Sequence, residues 1–146
     1  MNTTGTPPGS TRPQPPAPAP TVWPALICRD AYGMIDFLVS TFGFEATAVY
    51  GDGTSVQHGQ LDWPEGGGIM LGSGNPNSSW HREPGTAGIY LVTDRVQQIH
   101  ERCRANGVQI IEPLKSTDYD PQTFAVSDPE GNYWSFGTYR GEPRST

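Results

Sequence analysis

The sequence predicts an α+β domain built from two tandem βαβββ units. Three observations predict it. Apolar patterning begins abruptly at Val22, behind a proline-rich start. A strand, a helix and three strands then follow one another twice, and a glycine stands after each helical stretch. At 146 residues the chain has room for one ordinary core and not for two full domains.

Residues 1–21 (MNTTGTPPGSTRPQPPAPAPT) consist of Pro, Thr, Ser and Gly with almost no apolar side chains. Such a segment cannot offset the entropy of ordering and is expected to stay extended, with docking of PQPPAPAP as polyproline II the functional alternative. The domain is expected over 22–140, with modules at about 22–73 and 86–140, a linker at 74–85, and a flexible C-terminus at 141–146.

In the first module WPALICRD reads as a strand. Asp30 stands where it would cap a helix over 31–42, in which Met34, Ile35, Phe37, Leu38 and Phe42 recur at helical spacing, and Gly43 ends it. FEATAVY, SVQHGQLDW and GGIMLGS are three further strands, set apart by turns at Gly51-Asp52-Gly53 and at Pro64 to Gly67. The linker GNPNSSWHREPG carries no periodic apolar pattern.

In the second module GIYLVTD is a strand and Asp94 is expected to cap a helix with Val96, Ile99, His100 and Cys103 on one face, closed by Gly107. VQIIEPL, QTFAVSD and NYWSFGTY complete the set, with Asp128-Pro129-Glu130-Gly131 as the tight turn before the last strand.

Net charge is −6, and with Arg12 in the tail the domain carries 15 acidic against 8 basic side chains. That balance argues against a nucleic-acid partner, which would need clustered Lys and Arg. No apolar run approaches the length needed to span a bilayer, and Cys28 and Cys103 form neither a metal-binding nor a redox spacing. A cytoplasmic protein with two reduced thiols and no membrane contact is expected.

CRDAYGMIDFLVSTFGFE in the first module, with VTDRVQQIHERCRANGVQIIEP and VSDPEGNYWSFGTY in the second, resembles the vicinal oxygen chelate superfamily over about residues 22–140. That group includes glyoxalase I, bleomycin-resistance proteins and extradiol dioxygenases. The resemblance implies that curved mixed sheets surround a cleft, often shared across a homodimer, and that metal-dependent members place ligands on the first and last strands of each module. The corresponding positions here are Trp23, Met70, Gly88 and Ser135. None is a usual ligand of a hard or borderline divalent ion, so no metal and no other cofactor is expected.

Strand alternation places Val56, His58 and Gln60 on one face of the third strand, with Gly59 and Leu61 on the other. The same parity turns Met70, Tyr90, Val92, Tyr133 and Ser135 towards the cleft and Trp134 and Phe136 beneath the second helix. Two tyrosines would supply flat apolar walls with polar tips. Trp80, with His81, lies in the linker, where it would serve as a lid or subunit contact. For each there is a plainer reading: a hydrogen-bonded structural histidine, core aromatics, an idle surface tryptophan. Asp118 and Asp120 read as a solvated loop, and no nucleophile is recognisable.

The ligand-binding set expected from these arguments is Trp23, His58, Gln60, Met70, Trp80, Tyr90, Tyr133 and Ser135. The implied function is metal-free sequestration of an aromatic or cationic small molecule such as an antibiotic. The alternative is a lyase or isomerase using His58 as acid or base, with a weakly bound metal.

Overall fold

A computed structural model describes residues 19–115 and 122–144. Expectations for the tail and for Asp118 and Asp120 concern residues outside this range, apart from the tail's last three positions. There the Trp23 indole N–H donates to the Pro20 carbonyl at 3.1 Å, fixing the chain just ahead of the first strand.

The elements run β1 (Ala25–Cys28), α1 (Ala31–Phe37) with a π-helical turn (Leu38–Phe42), β2 (Glu45–Gly51), β3 (Val56–Asp62) and β4 (Gly68–Ser73). After the linker come β5 (Gly88–Val92), α2 (Val96–Ala105), β6 (Gln109–Lys115), β7 (Thr123–Ser127) and β8 (Tyr133–Gly137). Each module folds into its own four-stranded sheet, ordered β1-β4-β3-β2 and β5-β8-β7-β6. In each, the first strand pairs in parallel with the last and the other pairs are antiparallel. The two-module α+β architecture is thus the one the strand and helix succession predicts.

Asp30 caps α1, its carboxylate accepting the Gly33 N–H at 3.0 Å, and Gly43 ends the helical stretch at φ 95°. The expected single helix over 31–42 instead widens into a π-turn at Leu38. Its last carbonyls are claimed from the other module: the Arg102 guanidinium donates to Thr41 O at 3.0 Å and Phe42 O at 3.3 Å, and the Asn106 amide to the Thr41 hydroxyl.

Leu26, Cys28, Leu61, Ile69 and Leu71 from the first sheet and Leu91, Phe124, Val126, Trp134 and Phe136 from the second form one core with both helices. Phe42 packs against Trp134 and Phe136, and Phe44 against Trp63 and Trp134, so large aromatic rings join the modules. The opposite face of each sheet lies open.

Two local expectations fail. Val56 is buried in the core rather than beside His58. The pairing with β2 shifts between Tyr50↔His58 and Gly51↔Val56, a bulge that leaves Gln57 without a counterpart and reverses the facing of Val56. Asp94 does not cap α2: Arg95 occupies that place, its N–H bound by the Thr93 hydroxyl, while the Asp94 carboxylate reaches out to Arg140 at 3.0 Å.

A cavity beneath the linker

The open face of the first sheet and the linker enclose a cavity of about 260 Å³. Its floor is Ala25 and Ile27 of β1, Met70 and Gly72 of β4 and His58 of β3. Successive residues of these strands alternate between this floor and the helix-covered core, and β4 lies between β1 and β3, so the three strands present one continuous surface. His58 lies on this open face, its ring stacked on Tyr50 with centroids 6.1 Å apart.

The roof is the linker, which the polar side chains of its own sequence fold. The Asn75 carboxamide oxygen accepts the Asn77 N–H at 3.0 Å, the Ser78 hydroxyl accepts the Trp80 N–H at 3.1 Å, and the Ser78 carbonyl accepts the His81 N–H at 3.1 Å. These turns bring Trp80 and His81 over the floor. Trp80 remains 69% exposed although it lines the cavity wall. His81 is held between Gly74 and Glu83, with Nε2 3.7 Å from the Glu83 carboxylate, and its buried Nδ1 has no hydrogen-bond partner. No Asp or Glu lines this cavity.

A second cavity, of about 410 Å³, adjoins the first at Trp80. It shares Ala25, Leu26, Ile27 and Trp80 with the first and is completed by Ser79, Arg82, Glu83, Gly85, Thr86, Ala87 and Asn132. The inner rim belongs to the Asp128 turn. One Asp128 oxygen accepts the N–H groups of Glu130, Gly131 and Asn132, and the other accepts the Asn132 amide and the Trp134 indole, all within 3.0 Å. Asn132 in turn accepts the Ala87 N–H at 3.0 Å. Both oxygens of Asp128 are thus occupied in holding the turn from Glu130 to Trp134.

The residues singled out from sequence separate into groups. His58, Met70 and Trp80 meet at the first cavity. Gln60 shares the face of His58, but its amide turns along the strand to Asp62, at 3.2 and 3.3 Å, and it does not line the cavity. Trp23 precedes β1 rather than lying in it and packs over Gly68, where its ring occupies space that a Cβ would need. Tyr90, Tyr133 and Ser135 lie on the open face of the second sheet and line neither cavity. Tyr90 extends across Gly137 and donates its hydroxyl to Tyr139 O at 2.6 Å, while Tyr133 is 57% exposed.

Sequence reasoning overlooked the paired glutamates of two matching turns. Glu65 in Pro64-Glu65-Gly66 and Glu130 in Pro129-Glu130-Gly131 stand 65 positions apart. Each crosses to the other module: Glu130 accepts the backbone N–H groups of Arg29 at 2.7 Å and Asp30 at 2.9 Å, at the start of α1. Glu65 accepts the Thr93 hydroxyl at 2.6 Å, the Asp94 N–H at 3.2 Å and the Arg95 guanidinium at 3.3 Å, at the start of α2. The repeated Pro-Glu-Gly was the signal. Helix N-termini carry unpaired N–H groups and partial positive charge, so each carboxylate is favoured there.

The four positions singled out for a metal, of which Trp23 lies ahead of β1, do not make a ligand set for a divalent ion. Trp23 and Gly88 offer no donor, Met70 offers a thioether and Ser135 a hydroxyl, and the last two belong to different sheets. Among the described residues no group of three or more His, Cys, Asp or Glu side chains could hold a metal ion. The two thiols are buried: burial, with Glu130, Asp128 and Asp30 adding negative charge, pushes Cys28 up to about 12, and burial pushes Cys103 up to about 11. No helix among the described residues is long and apolar enough to cross a membrane.

Comparison with known proteins agrees with this architecture. Residues 21–136 match the family model of the Glyoxalase/Bleomycin resistance protein/Dioxygenase superfamily. No curated protein matches the sequence. Among solved structures, TioX from Micromonospora sp. ML1 is 28% identical over 77% of this chain and 93% of its own, with a TM-score of 0.65. A glyoxalase/bleomycin resistance protein from Streptomyces sp. CB03234 is 26% identical over 78% and 98%, with a TM-score of 0.58. The fosfomycin resistance protein FosX from Listeria monocytogenes shares the fold at 16% identity, 83% and 93% coverage and a TM-score of 0.56. The match over residues 21–136, carried on two βαβββ modules with parallel first and last strands, means that this chain belongs to the Glyoxalase/Bleomycin resistance protein/Dioxygenase superfamily.

Proposed function

We propose that the protein binds an aromatic small molecule without a metal, between the first sheet and the linker, and sequesters it. The observation that carries this reading is the makeup of the first cavity. Met70, Ile27 and the indole of Trp80 offer apolar and π surface, His58, Gln57, Ser73 and Asn75 offer hydrogen-bonding groups, and there is no carboxylate. A flat ligand with a few hydrogen-bonding groups suits that lining. A cationic ligand would find no countercharge there, so aromatic character is favoured over charge. An antibiotic as the ligand is in keeping with the glyoxalase/bleomycin resistance protein among the similar structures.

The open face of the second sheet, with Tyr90, Tyr133 and Ser135, is assigned to the same ligand through a homodimer. Within one chain these residues line neither cavity, whereas a second copy could bring its second sheet opposite the first sheet of its partner. The cytoplasm remains the expected compartment, because two free buried cysteines suit a reducing one.

Titration with the uncharged fluorophore phenylnaphthylamine tests the reading. Saturable binding near one probe per site that weakens about tenfold or more on Trp80→Ala or Met70→Ala is expected, the worth of an aromatic or apolar contact. Binding that both variants leave unchanged, or no binding at all, would overturn it.

A further inference from the structure

We infer that the two cavities that adjoin at Trp80 form one two-compartment site, whose second compartment takes an anionic substituent of the aromatic ligand at Arg82. The inference rests on the proposed aromatic site and adds the ligand's second chemical element, a carboxylate, sulfonate or phosphonate arm.

The cavities share Ala25, Leu26, Ile27 and Trp80, so they adjoin along β1 and at Trp80. A wall residue 69% exposed has apolar surface still to cover, and a planar ligand laid along it would cover that surface while reaching into both compartments.

Four arginines near the module junction are engaged: Arg29 donates to Glu130 O and Pro84 O, Arg95 pairs with Glu65, Arg102 holds the π-turn and Arg140 pairs with Asp94. Arg82, on the rim of the second cavity, has no hydrogen-bond or ion-pair partner among the described residues. The one carboxylate on the same rim, Glu83, already faces His81 at 3.7 Å. Of the other polar groups of the rim, Asn132 is occupied by Asp128 and Ala87, and the Thr86 hydroxyl by Glu83 O. An unpaired guanidinium beside a cavity in a chain of net charge −6 is the group that would recognise an oxyanion, through its fork of N–H donors.

A matched pair of probes separates the two elements: phenylnaphthylamine, and anilinonaphthalene sulfonate, which has the same aromatic body with an anionic group added. Both are titrated against the full chain, Arg82→Gln and Trp80→Ala, at low and high salt. Arg82→Gln should weaken the sulfonate about threefold to tenfold, between an exposed ion pair and a hydrogen bond to a charged group, and leave the neutral probe unchanged. Added salt should weaken the sulfonate alone, and Trp80→Ala should weaken both. If the neutral probe binds in a Trp80-dependent way but Arg82→Gln affects both probes equally or neither, the anionic compartment is wrong and the aromatic site stands. If neither probe depends on Trp80, both fail.

Discussion

Glu130 spans two modules with one carboxylate, taking two backbone N–H groups at the start of α1. Glu130→Ala leaves both donors to solvent, and a cost of about 1–2 kcal/mol is expected, as for loss of a helix cap. Glu130→Gln should cost less, since one oxygen survives; chemical denaturation of the three proteins would order them. Glu65 adds a dependence on pH. Partial burial raises its carboxyl pKa, but the Thr93 hydroxyl, the Asp94 N–H and Arg95 outweigh it and hold the group below its ordinary value of 4.5. A carboxyl depressed in the folded state stabilises above its unfolded pKa, and that stability is lost as pH falls through the folded value. Glu65→Gln should therefore melt below the parent at pH 7, and the gap should close once pH drops well below 4.5. His58 separates binding from catalysis: if the cavity only binds, His58→Gln should cost roughly 0.5–1.5 kcal/mol of affinity. A base would instead show a loss of about 10²–10⁴ in turnover.

At the scale of elements, alternation along β3, β4 and β8 placed His58, Met70 and Ser135 on the open faces and Trp134 and Phe136 in the core, because burial of one face fixes parity. Val56 escaped that rule, since the bulge at Gln57 depends on how β2 pairs rather than on β3 alone. The cap of α2 escaped for a similar reason: Thr93 offers a hydroxyl one residue before Asp94, and Glu65 arrives from another module. Local chemistry was more readable at Gly43, whose φ of 95° suits a residue without Cβ. Gly43→Ala is expected to cost about 1–2 kcal/mol, and Arg102 Nη2 lies 3.2 Å from where the new methyl would sit. A thermal melt lowered by less than about 2 °C would contradict this assignment of the helix end.

For the whole molecule, the doubling of βαβββ was legible because each module repeats the same order of patterned segments, and the 65-residue offset links Met70 with Ser135 as it links Glu65 with Glu130. What periodicity could not show was which open face the linker would cover, because its path follows side-chain turns at Asn75 and Ser78. That path separates the residues expected in one cleft, leaving His58, Met70 and Trp80 under the linker and Tyr90, Tyr133 and Ser135 on the second sheet. Native mass spectrometry should accordingly find dimers, and Tyr133→Ala should weaken probe binding without altering the folded core. An aromatic ligand held between Met70 and Trp80 would be seen in a crystal structure of the complex with phenylnaphthylamine. The naphthyl ring is expected against the Trp80 indole and the Met70 thioether; a ring bound elsewhere, with the cavity beneath Trp80 unfilled, would show that the ligand is not held there.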